Sequence, residues 1–241
     1  MQTIKKLLGG IWWSWYYLWV LLALILTAMS YIFAFPLSYK YRVRIASYVR
    51  QKACGLAIGM SGIWITTSKI SKLISLQRGK SYIIVANHKS DLDILISTSI
   101  IPLSSSFVAK AELSKVPILG YVLSQIDAIV DRKKYRNISS LVPRLAELTA
   151  IGQAIIMFPE GTRNGEKLVN EFKMGAFMVA YELRLPVVAL FLPNTADLMP
   201  NRRWWGKPGI VYPVGEIFFP KDFHSAEEFK AKVHNWFLSN M

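Results

Sequence analysis

The chain has 241 residues, is 53% hydrophobic, has a mean hydropathy of +0.30 and carries a formal net charge of +14. Its length allows one sizeable domain with an appendage, and its hydropathy is high for a soluble globular protein. Its one cysteine, Cys54, excludes an internal disulfide and a cysteine-based metal site. None of the three histidines has a second ligand at metal-binding spacing, so we expect no metal.

The basic charge is concentrated in the first ninety residues, which contain twelve Lys or Arg and no acidic residue. This is also the most apolar part of the chain. Each basic side chain near anionic headgroups gains about 1 kcal/mol, so the combination indicates a membrane surface. Nucleic acid also attracts basic surfaces, but the region lacks a helix-turn-helix or zinc pattern. We therefore expect anionic membrane lipids, and no nucleic acid, as partners.

The first predicted element is an uncharged run from Ile11 to Phe35, which Pro36 ends. A helix of this length would span a hydrocarbon core of about 30 Å. Its Trp and Tyr residues lie mostly in its first part, and this single aromatic belt also allows a helix that enters one leaflet and turns back. The alternatives are a cleaved signal peptide, for which the run is long, and a buried core helix.

A basic helix is predicted next, and its charged residues are Lys40, Arg42, Arg44, Arg50 and Lys52. The heavier basic cluster follows the apolar run, so we expect the body to face the cytoplasm from the inner membrane, anchored by the N-terminal segment. We expect residues 1–70 to form a membrane-associated helical motif and residues 71–241 to form an α/β domain.

Apolar strand-like runs alternate with helical stretches in the body. The runs cover residues 82–86, 107–109, 128–130, 154–158, 187–192 and 210–214. This alternation predicts an α/β fold with a mostly parallel central sheet flanked by helices. Polar strings follow several of these runs, where the carboxyl ends of parallel strands commonly bind ligands.

The first polar string is Asn87-His88-Lys89-Ser90-Asp91-Leu92-Asp93. Histidine suits removal of a hydroxyl proton, and a carboxylate can fix its tautomer and stabilise the imidazolium. Asp93 can do so if His88 lies on a turn and Asp93 in the first turn of a helix. Alternatively, Asp93 only caps that helix, because Ser90-x-x-Asp93 is similar to a capping box. Asp91 has the wrong offset from His88.

The second string is Phe158-Pro159-Glu160-Gly161-Thr162-Arg163. Gly161 permits a backbone turn that other residues resist. Arg163 offers a planar, charged guanidinium whose forked N–H donors suit phosphate oxygens. Glu160 either holds the turn or positions Arg163. The alternative for Arg163 is an ordinary surface arginine. No G-x-S-x-G elbow is present, so we expect direct transfer without an acyl-enzyme.

In order and spacing, the two strings resemble those of glycerolipid acyltransferases, in particular the bacterial 1-acyl-sn-glycerol-3-phosphate acyltransferases, and the resemblance extends from about Ser81 to Gly215. It implies that His88 is the general base and Asp93 its orienting partner. It also implies a phosphate site formed by Arg163, Lys110 and Arg132, with Glu160, Gly161 and Thr162 shaping it. The chain departs from the family at Ile126, where many members have glycine. The family's two-helix membrane motif favours monotopic insertion.

The resemblance implies an enzyme that moves a fatty acyl group to the sn-2 hydroxyl of lysophosphatidic acid, forming phosphatidic acid in phospholipid biosynthesis. The donor would be acyl-CoA or acyl carrier protein, with no further cofactor. Two alternatives remain. The acceptor could be another lysophospholipid, a lyso-ornithine lipid or an acyl-sugar, or the chain could be a noncatalytic lipid-binding protein of the membrane surface.

Overall fold

The structure is a computed structural model that describes residues 2–74, 76–77, 79–130, 141–163, 168–201 and 203–241. Two long helices, α1 (Gln2–Phe33) and α2 (Tyr39–Met60), open the chain as an antiparallel hairpin. The start of α1 lies beside the end of α2, where the Trp12 and Trp15 indoles donate to the carbonyls of Ser61 and Met60.

Helix α1 presents two different faces along its whole length. Its buried face, which includes Tyr16, Ala23, Thr27 and Tyr31, packs on the rest of the protein. Its opposite face is an exposed apolar stripe that includes Ile4, Leu7, Ile11, Leu18, Leu22, Ile25, Met29 and Phe33. Within the described residues, Lys6–Phe33 is the one helical segment long and apolar enough to cross a membrane by length and composition.

The strands of the described chain are β1 (Ile63–Ile65), β2 (Ile83–Ala86), β3 (Ser105–Lys110), β4 (Ala128–Val130), β5 (Ala154–Met157), β6 (Val187–Phe191), β7 (Gly209–Val211) and β8 (Val214–Phe218). Six of them form the central sheet in the order β4-β3-β5-β2-β6-β8. Every neighbouring pair in this sheet is parallel except β6 and β8.

Helices cover both faces of the sheet. They are α3 (Ser71–Ile74), α4 (Leu92–Ile100), α5 (Leu119–Ile126), α6 (Val142–Ala150), α7 (Gly175–Glu182), α8 (Thr195–Leu198) and α9 (Ala226–Ser239). Alternate residues of β2 enter two apolar clusters: Ile83 and Val85 pack with α5, α6, α7 and α9, and Ile84 packs with α4. The predicted fold class is therefore confirmed.

Prolines divide two of the predicted elements. The prediction of one strand over residues 210–214 is wrong, because Pro213 separates β7, which pairs with β1, from β8, which pairs with β6. Likewise, the sequence from Glu112 to Ser124 is typical of one helical stretch, but the structure has a short 3₁₀ segment, Ala111–Lys115, followed after Pro117 by α5.

The order of the strands brings the two polar strings together. β5 lies between β3 and β2, and all three are parallel, so their carboxyl ends meet at one edge of the sheet. The His88 string follows β2, the Arg163 string follows β5, and Lys110 ends β3. The division at residue 70 stays a prediction; β1, which precedes it, pairs with β7.

Candidate active site

His88 is held on three sides in the turn between β2 and α4. Its ring stacks on Phe158, with centroids 4.0 Å apart and planes 16° from parallel. Its Nδ1 lies 3.2 Å from Asp93 Oδ2, and its backbone N–H donates to Glu160 Oε1 at 2.9 Å. These contacts fix both the ring plane and the direction in which Nε2 points.

Asp93 is fully buried and makes contacts of two kinds. Its Oδ2 accepts from the backbone N–H groups of Lys89 at 2.6 Å and Ser90 at 2.7 Å, as a residue that caps the turn would. The same oxygen faces His88 Nδ1, and Oδ1 accepts from Thr195 Oγ1 at 2.6 Å. The two interpretations of Asp93 from the sequence are therefore compatible: the bonds that hold the turn also aim the carboxylate at the imidazole.

Arg163 reaches the other nitrogen of the same imidazole. Its Nε donates to His88 Nε2 at 2.8 Å, and its Nη1 forms an ion pair with Asp91 Oδ1. The second oxygen of Asp91 accepts from the Tyr17 hydroxyl of α1 at 2.6 Å. Asp91 thus contacts Arg163 rather than His88, and it connects the guanidinium to the N-terminal helix.

The bond from Arg163 determines the tautomer of His88. A guanidinium is always protonated and can only donate, so Nε2 accepts and the ring proton lies on Nδ1, facing Asp93. This assignment follows from the hydrogen-bond network. It leaves Nε2 as the basic atom, directed toward the fork of Arg163, whose side chain is 30% exposed.

Glu160 joins the second string to the first. One carboxylate oxygen accepts from the His88 backbone, and the other accepts from Asn170 N at 3.1 Å and Asn170 Nδ2 at 2.7 Å. Lys89 Nζ lies 3.2 Å from that second oxygen, in a pair that is almost fully buried. These bonds hold the turn, which is the first of the two roles that the sequence left open for Glu160.

Gly161 has a φ of +69°, in the left-handed region that favours glycine. A Cβ built at this position would lie 2.8 Å from Lys173 Nζ, so the ammonium of Lys173 lies directly over the turn. The Lys173 backbone N–H donates to Pro159 O at 2.9 Å. The sequence alone indicates no role for Lys173, and only the fold brings its exposed cation next to Gly161. Thr162 is exposed on the same turn.

Of the two other predicted phosphate ligands, Lys110 lies in the described part of the chain and Arg132 does not. Lys110 is exposed at the end of β3, in register with Val130 of β4, at the sheet edge that also carries His88. Arg132 lies in residues 131–140, outside the described part of the chain. Among residues 2–74, 76–77, 79–130, 141–163, 168–201 and 203–241, no group of three or more His, Cys, Asp or Glu could hold a metal ion.

Several residues support the site through contacts that only the fold reveals. Asn87 exchanges two hydrogen bonds with the backbone of Leu192, at 2.9 and 2.7 Å, and so ties the end of β2 to the end of β6. Thr195 and Asn170 reach Asp93 and Glu160 from segments far away in the sequence. Asp91 lies inside the first string, but its partner Arg163 is evident only in the fold.

Residues 68–192, more than half of the chain, match the family model described as Acyltransferase. The chain belongs to the acyltransferase family. A Mycoplasma genitalium protein curated as "Probable 1-acyl-sn-glycerol-3-phosphate acyltransferase" is 32% identical over 84% of this chain and 76% of its own length. The 1-acyl-sn-glycerol-3-phosphate acyltransferase of Saccharomyces cerevisiae is 36% identical over 67% of this chain and 56% of its own length.

A solved structure agrees with this acyltransferase over nearly its whole length. The crystal structure of the 1-acyl-sn-glycerophosphate (LPA) acyltransferase PlsC from Thermotoga maritima has a TM-score of 0.76 and 25% sequence identity. The match covers 98% of this chain and 94% of that one. The family predicted from the two strings is therefore confirmed.

Proposed function

We propose that this acyltransferase moves a fatty acyl group from a thioester donor, acyl-CoA or acyl carrier protein, to the sn-2 hydroxyl of 1-acyl-sn-glycerol-3-phosphate. The product is phosphatidic acid, a precursor in phospholipid synthesis. One observation carries the proposal: the basic Nε2 of His88 lies 2.8 Å from Nε of Arg163, so a proton acceptor and a phosphate-binding fork are neighbours. The names of the acyltransferase relatives support the same activity.

This geometry suits an acceptor that carries its hydroxyl close to a phosphate. In lysophosphatidic acid only the ester oxygen and one methylene separate the phosphorus from the carbinol carbon. A guanidinium can bind two phosphate oxygens at once, and Lys173 and Lys110 add positive charge on the same side. When the phosphate binds there, the sn-2 oxygen comes within reach of Nε2.

The acceptor itself would free the base. Its phosphate competes with Nε2 for the guanidinium of Arg163, and Asp91 keeps that guanidinium at the sheet edge while its bond to His88 breaks. Nε2 then accepts the hydroxyl proton as the oxygen attacks the thioester carbonyl. Asp93 stabilises the resulting imidazolium. The tetrahedral intermediate collapses, the thiolate leaves, and the imidazolium returns the proton to that sulfur.

The N-terminal helix supports a membrane enzyme of the monotopic kind. The buried face of α1 contacts the body near both ends: Gly9 O accepts from Gly206 N at 3.2 Å, and Tyr31 packs on Tyr121. A helix held along its length by the body suits insertion into one leaflet by its exposed apolar stripe. We propose that the basic residues of α2 keep the body on the cytoplasmic side.

The proposal is tested by thioester-dependent acylation in detergent micelles, with release of free thiol as the readout. Lysophosphatidic acid and a monoacylglycerol with the same acyl chain are offered in parallel, each with acyl-CoA and then with acyl carrier protein as donor. We expect turnover of the phosphate-bearing acceptor. Equal turnover of the monoacylglycerol would contradict the phosphate requirement, and turnover only of a lyso-ornithine lipid or acyl-sugar would assign another acceptor.

A further inference from the structure

Large apolar side chains are exposed outside the helical hairpin, on the small β1–β7 sheet and the loop before it. Trp64 is 72% exposed, Trp204 62%, Tyr212 52% and Ile210 44%. Trp64 and Ile210 are register partners, and Tyr212 follows directly after β7. We call Trp64, Trp204, Ile210 and Tyr212 the aromatic platform. Such patches commonly bind another surface.

The aromatic platform borders the first turns of α1 on two sides. On one side, a Cβ built on Gly10 would lie 2.6 Å from the Trp204 ring, and the Gly206 amide donates to the carbonyl of Gly9. On the other side, the Trp12 indole donates to Ser61 O, and Gly62 leads from there into β1. The platform therefore lies beside the first turns of α1, where Ile4, Leu7 and Ile11 begin the exposed apolar stripe.

The chemistry of this surface favours a lipid bilayer as its occupant. Tryptophan and tyrosine prefer the headgroup level, where an apolar ring and a polar edge both find suitable partners. Lys6, Arg203 and Lys207 are exposed in the segments that border the platform. Anionic headgroups attract each of these cations. A soluble protein partner would not require the platform to lie beside the helix that carries the apolar stripe.

The loop that carries Trp204 also touches the active site. Asn201 Nδ2 donates to the carbonyl of Arg163 at 3.5 Å, and Met199 O accepts from Ser90 Oγ at 2.8 Å. Met199 and Asn201 thus lie beside the active site, and Trp204 and Gly206 lie beside the start of α1. A membrane contact at Trp204 would set the distance between the active-site edge and the lipid headgroups.

We propose that the aromatic platform is a second membrane contact, which lies at the headgroup level of an anionic bilayer while the stripe of α1 lies deeper. This inference concerns membrane binding and is independent of the reaction assigned above. It predicts that the bilayer contacts the protein at two depths, at the headgroup level through the platform and more deeply through the stripe of α1.

The test uses the full chain with an environment-sensitive fluorophore on a single cysteine. The only natural cysteine, Cys54, is replaced as Cys54→Ser, and probes are placed by Trp204→Cys and, separately, Tyr212→Cys. Leu22→Cys, on the exposed stripe, reports the deeper contact. Ala231→Cys is the control, because it is exposed on α9, which packs on the other face of the central sheet. Each variant is bound to vesicles of phosphatidylcholine with added phosphatidylglycerol.

We expect blue-shifted emission at positions 204 and 212, with stronger quenching by lipids labelled near the headgroup than by lipids labelled at the chain end. Position 22 should show the reverse order of quenching, and position 231 should stay water-like. If both platform probes remain water-like while position 22 is buried, the platform is not a membrane contact. Because the two platform sites are labelled separately, a folding defect in one variant leaves the other as a test.

Discussion

Arg163 and His88 share a hydrogen bond in which Nε of the guanidinium donates to Nε2 of the imidazole across 2.8 Å. The bond joins the residue that we expect to bind phosphate to the atom that we expect to remove a proton. While it is intact, Nε2 has no lone pair available for a hydroxyl. We expect the arrangement to couple deprotonation to phosphate binding, because the acceptor that would draw Arg163 away is also the one that supplies the hydroxyl.

The substitution Arg163→Lys tests this coupling. Lysine keeps the positive charge but loses the planar fork and the Nε donor, so it binds phosphate through one point. We expect KM for lysophosphatidic acid to rise by about tenfold or more, equivalent to roughly 1.4 kcal/mol of binding, with a smaller change in kcat. Steady-state kinetics over a range of acceptor concentrations measure both. An unchanged KM with a strongly reduced kcat would show that Arg163 acts on the chemical step instead.

The substitution Asp91→Asn removes the anion that holds the guanidinium. The pair is about one-third exposed on each side, so its own contribution to stability is small. We expect a few-fold rise in KM for lysophosphatidic acid, with kcat nearly retained, because Asp91 positions Arg163 and does not touch the reacting atoms. Tyr17→Phe, which removes the hydroxyl bonded to the other oxygen of Asp91, should have a weaker effect of the same kind.

Thermal unfolding of the Asp91→Asn variant separates positioning from folding. A midpoint equal to that of the wild type, together with a raised KM, agrees with a positioning role. A lowered midpoint together with a proportional loss of kcat would identify Asp91 as a purely structural residue.

The substitution Gly161→Ala should destabilise the phosphate-binding turn. Alanine at a φ of +69° costs about 1–2 kcal/mol, and its Cβ would displace the ammonium of Lys173. We expect a lower unfolding midpoint and weaker acceptor binding. The matched control is Gly59→Ala in α2, where a Cβ meets nothing within 4 Å. Alanine there should stabilise the helix by about 0.5–1 kcal/mol, and an equal loss at both positions would refute the conformational argument.

Cys54 should be almost inert in the folded protein. Burial raises the pKa of its thiol to about 11, so little of the reactive thiolate forms at neutral pH. The thiol would ionise appreciably only as the pH approaches that value, whereas an unfolded cysteine ionises near pH 8.5. We expect slow alkylation by iodoacetamide at about pH 8 and fast alkylation after denaturation. Equal rates in the two states would show that Cys54 is accessible.

The sequence predicts the sheet and the main site residues because both depend on local patterns. Strand runs bounded by polar turns predict a parallel sheet, and the His88 and Arg163 strings follow two of those runs. The strand order β3-β5-β2, which makes the two strings neighbours, has no local signature. For the same reason, the offset of Asp91 from His88 indicates no role for it in the sequence, whereas the fold pairs it with Arg163, which follows a different strand.

The contacts of α1 show a further limit of sequence reasoning. Its composition predicts a membrane helix, but only packing shows that its two faces differ. Gly9 and Gly10 directly precede the uncharged run and indicate nothing by themselves, whereas in the fold they contact the loop that contains Trp204 and Gly206. Such long-range pairing depends on the complementary shapes of two segments that lie about two hundred residues apart.

The measurement that tests the central claim most directly is the turnover of lysophosphatidic acid by His88→Ala in detergent micelles. His224→Ala, which changes an exposed histidine in the loop before α9, is the matched control. We predict that the first variant loses about a hundred- to ten-thousand-fold in kcat and the second keeps wild-type turnover. A His88→Ala enzyme that remains folded and within a few-fold of wild-type kcat would contradict the assignment of His88 as the base.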